Sequence, residues 1–517
     1  MSENREIPES PLSDGSKGRS AKESRRTADA HGSGKSDDLI VPTKQANNAG
    51  QPAAESVEGS GSTKGNASQT AAPRTQGRDS ASLGLQGIRS AASRNRDEQF
   101  TALLHHVTTD LLHASYKAQK HLASPGVDGV TWQAYGEQLE ANLGDLHERI
   151  HAGRYRAKPS KRAWIPKPDG RQRALGLAAL EDKIVQHATK TVLEQIYEED
   201  FLGFSYGFRP NRSQHDALDA LYVGVTKRKV SWVLDADIRG FFSSISHEWM
   251  TRFIEHRIAD RRVQRLIAKW LKAGVSDDGK WEKTDKGTPE GAVISPLLAN
   301  VYLHYVFDLW ADHWRTTRAQ GDVIIVRYCD DFVVGFQHRH EAERFLRDLK
   351  ERLLKFDLEL HPEKTRLIEF GRFAASNRAQ RGQGKPETFD FLGFTHCCAK
   401  TRYGWFTLKR YSSAKRFRRT LRAIKEKLRR YMHLPIPTQG KWLRAVVQGW
   451  LNYHAVPGNM KRLDEFCQQV ARHWLRALRR RSQKGRRWNW EHMTRLQKAW
   501  LPTPRILHPY PDKRLRV

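Results

Sequence analysis

Two apolar runs rich in β-branched residues, 323–326 and 332–336, flank a short polar centre that ends in the adjacent carboxylates Asp330 and Asp331. Such runs read as strands, and their separation reads as a hairpin with the aspartates at its tip. Two like charges held between buried strands repel unless a cation sits with them. A divalent metal is the economical explanation, and phosphoryl chemistry is the usual reason to hold one there.

That chemistry needs a further carboxylate. Residues 231–242 form a second apolar segment, with Asp235 and Asp237 at alternate positions. Side chains repeat every second residue along a strand, so both lie on one face. Either could face the hairpin tip and complete a clamp for two metals, which would activate an attacking 3′-hydroxyl and stabilise a leaving pyrophosphate. Each motif alone would also suit a simple turn, Asp235 and Asp237 capping the one before Gly240. The two together favour a site.

The chain has 517 residues, enough for two or three domains, and a net charge of +31. The excess is not spread evenly. Residues 1–95 carry +2, residues 96–399 carry +3, and residues 400–517 carry +26, from 31 Lys and Arg against 5 Asp and Glu. A nearly neutral core joined to a strongly basic region predicts a dedicated nucleic-acid-binding module. The four cysteines, Cys329, Cys397, Cys398 and Cys467, include no Cys-x-x-Cys pair. A zinc finger is therefore not expected, and the low count fits a reducing cytosol. With no long apolar run, no membrane partner is expected.

Residues 1–95 are dominated by small and polar side chains and read as a disordered leader. Order is expected from about Phe100. Helical patterns cover 134–152, 180–199, 213–227 and 340–355. A strand, a Pro-Asp-Gly turn and a basic return strand span 164–173, and a Gly/Pro loop at 287–294 leads into a helix at Ser295. Mixed helices and adjacent antiparallel strands predict an α+β core over 96–399. From about 400 the pattern turns largely helical and basic.

At this point the residues resemble a family. Tyr328-Cys329-Asp330-Asp331 resembles the Tyr-x-Asp-Asp box of reverse transcriptases, and the segment from Leu234 to His247 resembles their first carboxylate block. The loop from Gly287 to Asn300, with Ser205-Tyr206-Gly207-Phe208-Arg209-Pro210 and Phe391-Leu392-Gly393-Phe394, resembles further blocks of bacterial group II intron-encoded reverse transcriptase/maturases. The ordered set runs from about residue 100 to the end. The resemblance implies a right-handed fingers–palm core followed by a basic all-α thumb/maturase (X) domain over 400–517. It also implies an RNA-directed DNA polymerase using two Mg2+ ions, or Mn2+ in their place. Its partners would be an RNA template with a DNA primer, dNTPs, group II intron RNA whose splicing it assists, and target DNA for retrohoming.

By the same resemblance Asp237, Asp330 and Asp331 are the catalytic metal ligands, and Phe242 is the gate that a ribonucleotide 2′-hydroxyl strikes. Lys167 and Arg173 hold the incoming triphosphate, the latter through its planar fork. Glu290 lies beside the nucleotide where the family has Gln, and Lys364 falls near the leaving pyrophosphate, where it could act as a general acid. Cys329 stands where Ala is common and Ser243 where Asp is common. Arg209, Arg212, Arg444, Arg479, Arg480 and Arg481 are the candidate RNA contacts, with Tyr453, Trp488 and Trp490 able to stack on unpaired bases. Trp450 and Trp474 are assigned to the helical core. Many relatives append a Cys- and His-bearing endonuclease that this sequence does not show, so second-strand cleavage is expected to come from elsewhere or not to occur.

Two other readings compete. An RNA-binding splicing factor without polymerase activity would have no reason to keep three clustered carboxylates. A retron- or defence-type reverse transcriptase would not be expected to carry the long basic helical region.

Overall fold

A computed structural model describes residues 75–166, 172–277 and 279–514. The palm is a four-stranded antiparallel sheet in the order β6-β7-β3-β8, built from β3 (Trp232–Asp237), β6 (Val323–Tyr328), β7 (Asp331–Phe336) and β8 (Arg366–Glu369). Its strands are apolar on both faces because both are covered. Leu234, Ile325, Phe332 and Val334 belong to the main core, while Val233, Ile324, Val326 and Val333 belong to a second one. The alternation follows from the two-residue period of a strand.

The fingers carry a second sheet in the order β2-β1-β4-β5, with β1 (Ser160–Pro166) antiparallel to β2 (Gln172–Leu177) and parallel to β4 (Val275–Asp277), which pairs with β5 (Lys280–Glu282). The helices α1 (Thr75–Arg94), α2 (Thr109–Lys117), α3 (Leu139–His151) and α4 (Leu180–Asp200) lie N-terminal to the palm strands. The palm's own helices are α5 (Gln214–Lys227), α6 (His247–Glu255), α7 (Arg261–Lys272), α8 (Ser295–Leu303), α9 (Leu309–Thr317) and α10 (Arg339–Leu354). A π-helical turn, His304–Asp308, joins α8 to α9. A third sheet, β11-β10-β9, joins β9 (Phe389–Phe391), β10 (Phe394–Lys400) and β11 (Phe406–Ser412). Beyond it α11 (Ala414–Arg430), α12 (Ile436–His454), α13 (Met460–Arg480) and α14 (Trp490–Trp500) pack around their own core. Phe417, Leu421, Ile424 and Leu428 supply the buried stripe of α11 at helical spacing, with cations on the rest of its surface. Trp450 and Trp474 are buried in this core, as the sequence reading assigned them.

Two boundaries differ from the sequence reading. Residues 75–94 are helical rather than disordered, and residues 1–74 lie outside the described residues. The helix holds because Ile88 and Ala92 are buried in the main core with Leu85 packed beside them, and Arg89 pairs with Glu199 of α4 at 2.8 Å. Its sequence is Ser- and Gly-rich, so docking stabilises it where propensity does not. The second correction concerns residue 400, which falls inside a hairpin. Strand β11 continues to Ser412 in register with β10, so the all-α region begins at Ala414. Among the described residues, no helix is long and apolar enough to cross a membrane.

Candidate active site

Strands β6 and β7 are joined by the two-residue loop Cys329-Asp330, with Tyr328 paired to Asp331. Cys329 takes the left-handed conformation, φ 58°, that opens such a tight turn, and its side chain is buried in the main core. Across the sheet Asp237 lies directly opposite Asp331, and Asp235 opposite Val333. Asp235, Asp237 and Asp331 therefore project from one face, with Asp330 at the turn beside them.

The electrostatics agree with this crowding. Burial, then the negative charges of Asp235, Asp330 and Asp237, hold the Asp331 carboxyl well above the usual range, with Lys364 opposing. Burial also raises Asp330, with Asp237 adding to it and Arg173 opposing. Asp235 is pushed up to about 6 by burial, against the pull of Arg366. Two cations serve the cluster directly: the Lys364 ammonium pairs with Asp237, and Arg366 reaches Asp235 at 3.4 Å.

Among the described residues no group of three or more Asp, Glu, His or Cys side chains stands at metal-ligating spacing. The donor chemistry nonetheless suits a hard divalent cation. The set is all carboxylate oxygen, and the proton affinity of Asp330 and Asp331 is raised by burial and then by their neighbours' charges, a repulsion that a bound cation would offset.

Near the carboxylates lie residues that the sequence reading assigned to the nucleotide, the charge of Arg173 acting on Asp330. Arg173 on β2 pairs with Glu290 at 3.3 Å, so the anion that departs from the family pattern is balanced by the cation expected to hold a triphosphate. The loop carrying Glu290 is pinned at several points. Gly287 N–H donates to Ile245 C=O at 2.7 Å, Thr288 N–H to Phe242 C=O at 2.8 Å, Gly176 N–H to Glu290 C=O at 2.7 Å, and Val293 N–H to the Gln186 side chain at 3.0 Å. Gly287, at φ 87°, has room for no Cβ, which would meet Phe242 O at 2.8 Å and Ser243 Cα at 2.9 Å. Phe242 is half-buried in the short helix Phe241–Ser244, edge-on to Phe241. Ser243 now has a local account: its hydroxyl donates to Gly240 C=O at 2.7 Å and closes that turn. Lys167 lies outside the described residues.

Sequence reasoning missed the support beneath the turn. Arg327, fully buried, donates to Asp308 at 2.6 Å, to Asn300 Oδ1 at 3.0 Å, to Cys329 C=O at 3.1 Å and to Ser205 Oγ at 2.7 Å. Asp308, on the π-helical turn, is fully buried too. Asn300 in turn donates to Gly207 C=O at 2.7 Å. The segment around Ser205 runs beside β6 as a short added strand, Arg327 N–H donating to Phe204 C=O and Tyr206 N–H to Arg327 C=O, each at 2.9 Å. An arginine inside an otherwise apolar strand was the available signal, since a buried guanidinium requires partners.

Of the six candidate RNA contacts, Arg209 is corrected, while Arg212 is half-buried. Arg209 is buried and saturated by Glu198 and the carbonyls of Leu202 and Ser205; burial lowers its pKa to about 10. Arg212 donates to Gly203 C=O and lies over the Tyr206 ring. Both brace the loop that carries Ser205. The remaining four lie on α12, α13 and the end of α13: Arg444 and Arg480 are exposed, Arg479 is exposed and donates to Trp488 C=O at 2.7 Å, and Arg481 donates to His433 C=O at 3.2 Å. Tyr453 is drawn inward, its hydroxyl donating to Leu392 C=O at 2.7 Å, and Trp488 packs on the helical core; Trp490 remains exposed.

A family model described as reverse transcriptase (RNA-dependent DNA polymerase) matches residues 165–396, which hold every palm strand and both carboxylate motifs. The chain is 32% identical to Protein YkfC of Escherichia coli (strain K12) over 321 residues, 56% of this chain and 79% of that protein. It is 34% identical to the group II intron-encoded protein LtrA of Lactococcus lactis subsp. cremoris over 228 residues, 43% of this chain and 37% of that one. It is 24% identical to the putative COX1/OXI3 intron 1 protein of Saccharomyces cerevisiae over 427 residues, 69% of this chain and 50% of that one. The chain thus spans half or less of the two intron proteins' own length. The chain belongs to the reverse transcriptase family, the RNA-dependent DNA polymerases, in its group II intron-encoded reverse transcriptase/maturase branch.

Proposed function

We propose that the chain extends a DNA primer along an RNA template with dNTPs at the Asp237–Asp330–Asp331 cluster, and that its basic helical domain holds group II intron RNA to assist splicing and retrohoming into target DNA. The observation that carries the reading is the register that sets Asp237 opposite Asp331 beside the Asp330 turn. These three carboxylates would hold two Mg2+ ions, or Mn2+. Such ions supply Lewis-acid activation of the primer 3′-hydroxyl and neutralise charge on the leaving pyrophosphate.

The chain's own residues do the rest. Arg173, with Lys167, grips the triphosphate; Glu290 keeps the Arg173 fork oriented until the nucleotide displaces it. Phe242 bounds the sugar and excludes a 2′-hydroxyl by size. Lys364, beside Asp237, donates a proton to the leaving pyrophosphate. Arg444, Arg479, Arg480 and Arg481 neutralise RNA phosphates on the helical domain. The location proposed is the bacterial cytoplasm, where free thiols such as Cys329 and Cys467 stay reduced.

The test is primer extension on poly(rA)/oligo(dT) with Mg2+, read beside intron RNA binding. Wild type should extend the primer, and Asp330→Asn should abolish synthesis while RNA affinity stays within about twofold. Tight RNA binding by a wild-type protein that extends nothing would overturn the polymerase assignment.

A further inference from the structure

Tyr403 and Trp405 are 70% and 74% exposed, more than any other aromatic side chain among the described residues. Both sit on the five-residue tip of the β10–β11 hairpin, residues 401–405. The tip is ordered by its own hydrogen bonds. Thr401 N–H donates to Trp405 C=O at 2.8 Å, Gly404 N–H to Thr401 C=O at 3.0 Å, and Tyr403 N–H to the Thr401 hydroxyl at 3.3 Å, with Gly404 at φ 82°. The base of the hairpin is fixed to the palm by the buried Arg410–Asp219 pair at 2.7 Å and by Tyr222 Oη against Thr407 Oγ1 at 3.2 Å. Two large rings are thus held out into solvent on a rigid stalk, at little remaining entropic cost to a partner that covers them.

The charge around them says which partner. Between Asp390 and Glu426 the sequence contains ten Lys and Arg and no carboxylate. Lys400 and Arg402 flank the tip and are exposed, the Arg402 guanidinium lying 4.6 Å above the centre of the Tyr403 ring. Past β11 the chain stays cationic along α11, where Lys415, Arg418, Arg422 and Lys425 are exposed. A stretch of chain with this many cations and no carboxylate favours a polyanion. A double helix would need only the cations, because its bases are stacked on each other. Exposed flat rings between cations fit bases that are unpaired.

We propose that Tyr403 and Trp405 form a base-stacking site for unpaired nucleotides of bound RNA, with Lys400 and Arg402 beside them to meet the phosphates. The proposal rests on the reading that the basic helical domain binds RNA, and it moves the stacking role from the inward-turned Tyr453 and Trp488 to the hairpin tip. Both residues are surface-exposed at a turn, so their replacement leaves the three cores intact.

The test uses the full chain with two probes of equal length, single-stranded rU20 and a blunt 20-base-pair RNA duplex, by fluorescence anisotropy across a salt series. Tyr403→Ala with Trp405→Ala should weaken rU20 binding about tenfold or more, from the loss of one or two base stacks. Duplex affinity should stay within about twofold, and the salt dependence of rU20 binding should keep its slope, because no phosphate contact is removed. Tyr403→Phe with Trp405→Phe should retain most of the rU20 affinity. Unchanged rU20 binding by the alanine pair, or an equal loss on the duplex, would overturn the stacking site while leaving the RNA-binding reading in place. A wild-type chain that binds neither probe would overturn both.

Discussion

Gly207 and Cys329 stand back to back: a Cβ on Gly207 would lie 2.5 Å from the Cys329 amide nitrogen and 3.0 Å from the Tyr328 carbonyl carbon. The loop cannot retreat, because the Gly207 carbonyl is held by Asn300 and the neighbouring Tyr206 amide by Arg327. Gly207→Ala should therefore displace the carboxylate turn itself. We expect kcat for primer extension to fall by about 100-fold, the scale of a roughly 1 Å misplacement of reacting groups. RNA affinity should stay within about twofold. Gly449→Ala is the contrast. Its Cβ would meet nothing within 4 Å, and the residue sits within α12, so the variant should gain up to about 1 kcal/mol of stability and keep its activity. Equal activity in the two variants would show that the turn does not depend on this contact.

The Arg327–Asp308 pair is buried on both sides, and burial raises the Asp308 carboxyl against the opposing charge of Arg327. Removing one partner leaves an uncompensated buried charge. Arg327→Met should cost about 3–5 kcal/mol in denaturant unfolding. Adding Asp308→Leu should recover much of that stability, since the orphan charge goes with it. Activity should not return, because the Cys329 carbonyl still lacks its donor. A double variant with full primer extension would reduce the pair to a packing element.

Glu290 and Arg173 are both substantially exposed, so their pairing is weak and readily exchanged. If the triphosphate must displace Glu290 from Arg173, Glu290→Gln should lower the KM for dNTP by about two- to fivefold, the range of an exposed ion pair. In an Arg173→Ala background the same change should do nothing. Steady-state titration of dTTP in the four combinations measures the coupling, and an undiminished effect of Glu290→Gln without Arg173 would rule out the competition.

What could be read from the sequence follows a physical divide. The hairpin from Val323 to Phe336 and the strand from Trp232 to Asp237 were legible because period-two burial writes itself into local pattern. The strand register that sets Asp237 against Asp331 was not, since it depends on which strands pair across nearly a hundred residues. Arg209 illustrates the opposite difficulty. As a cation in a Gly-rich loop it read as an RNA contact, and only the fold shows Glu198 and two carbonyls closing around it. The helix Thr75–Arg94 escaped because Ile88 and Ala92 are too few to signal a buried stripe until the surface of α4 is present to receive them. Tyr403 and Trp405 were passed over for a related reason. A tyrosine and a tryptophan near strands are usually core, and exposure is a property of the assembled chain.

Asp260 ties the segment that follows α1 to α7. Its carboxylate accepts the amides of Leu103 at 2.8 Å and Leu104 at 3.0 Å and caps α7 through the Arg262 amide at 2.9 Å. Burial alone would raise this carboxyl, but these donors and the Arg262 side chain outweigh it and hold it at about 2, against an ordinary 3.8. The folded-state value is depressed, so the contribution to stability is fully present above about pH 4. It is lost as pH falls from about 4 towards 2, and is worth about 2 kcal/mol. Asp260→Asn should be destabilised by a similar amount at pH 7. It should also lose hydrogen-exchange protection at the Leu103 and Leu104 amides. Below pH 4 the wild-type protein should approach the variant, so the stability difference between them should shrink steadily from pH 4 to pH 2. A difference that stays constant across that interval would mean that the Asp260 charge does not hold this junction together.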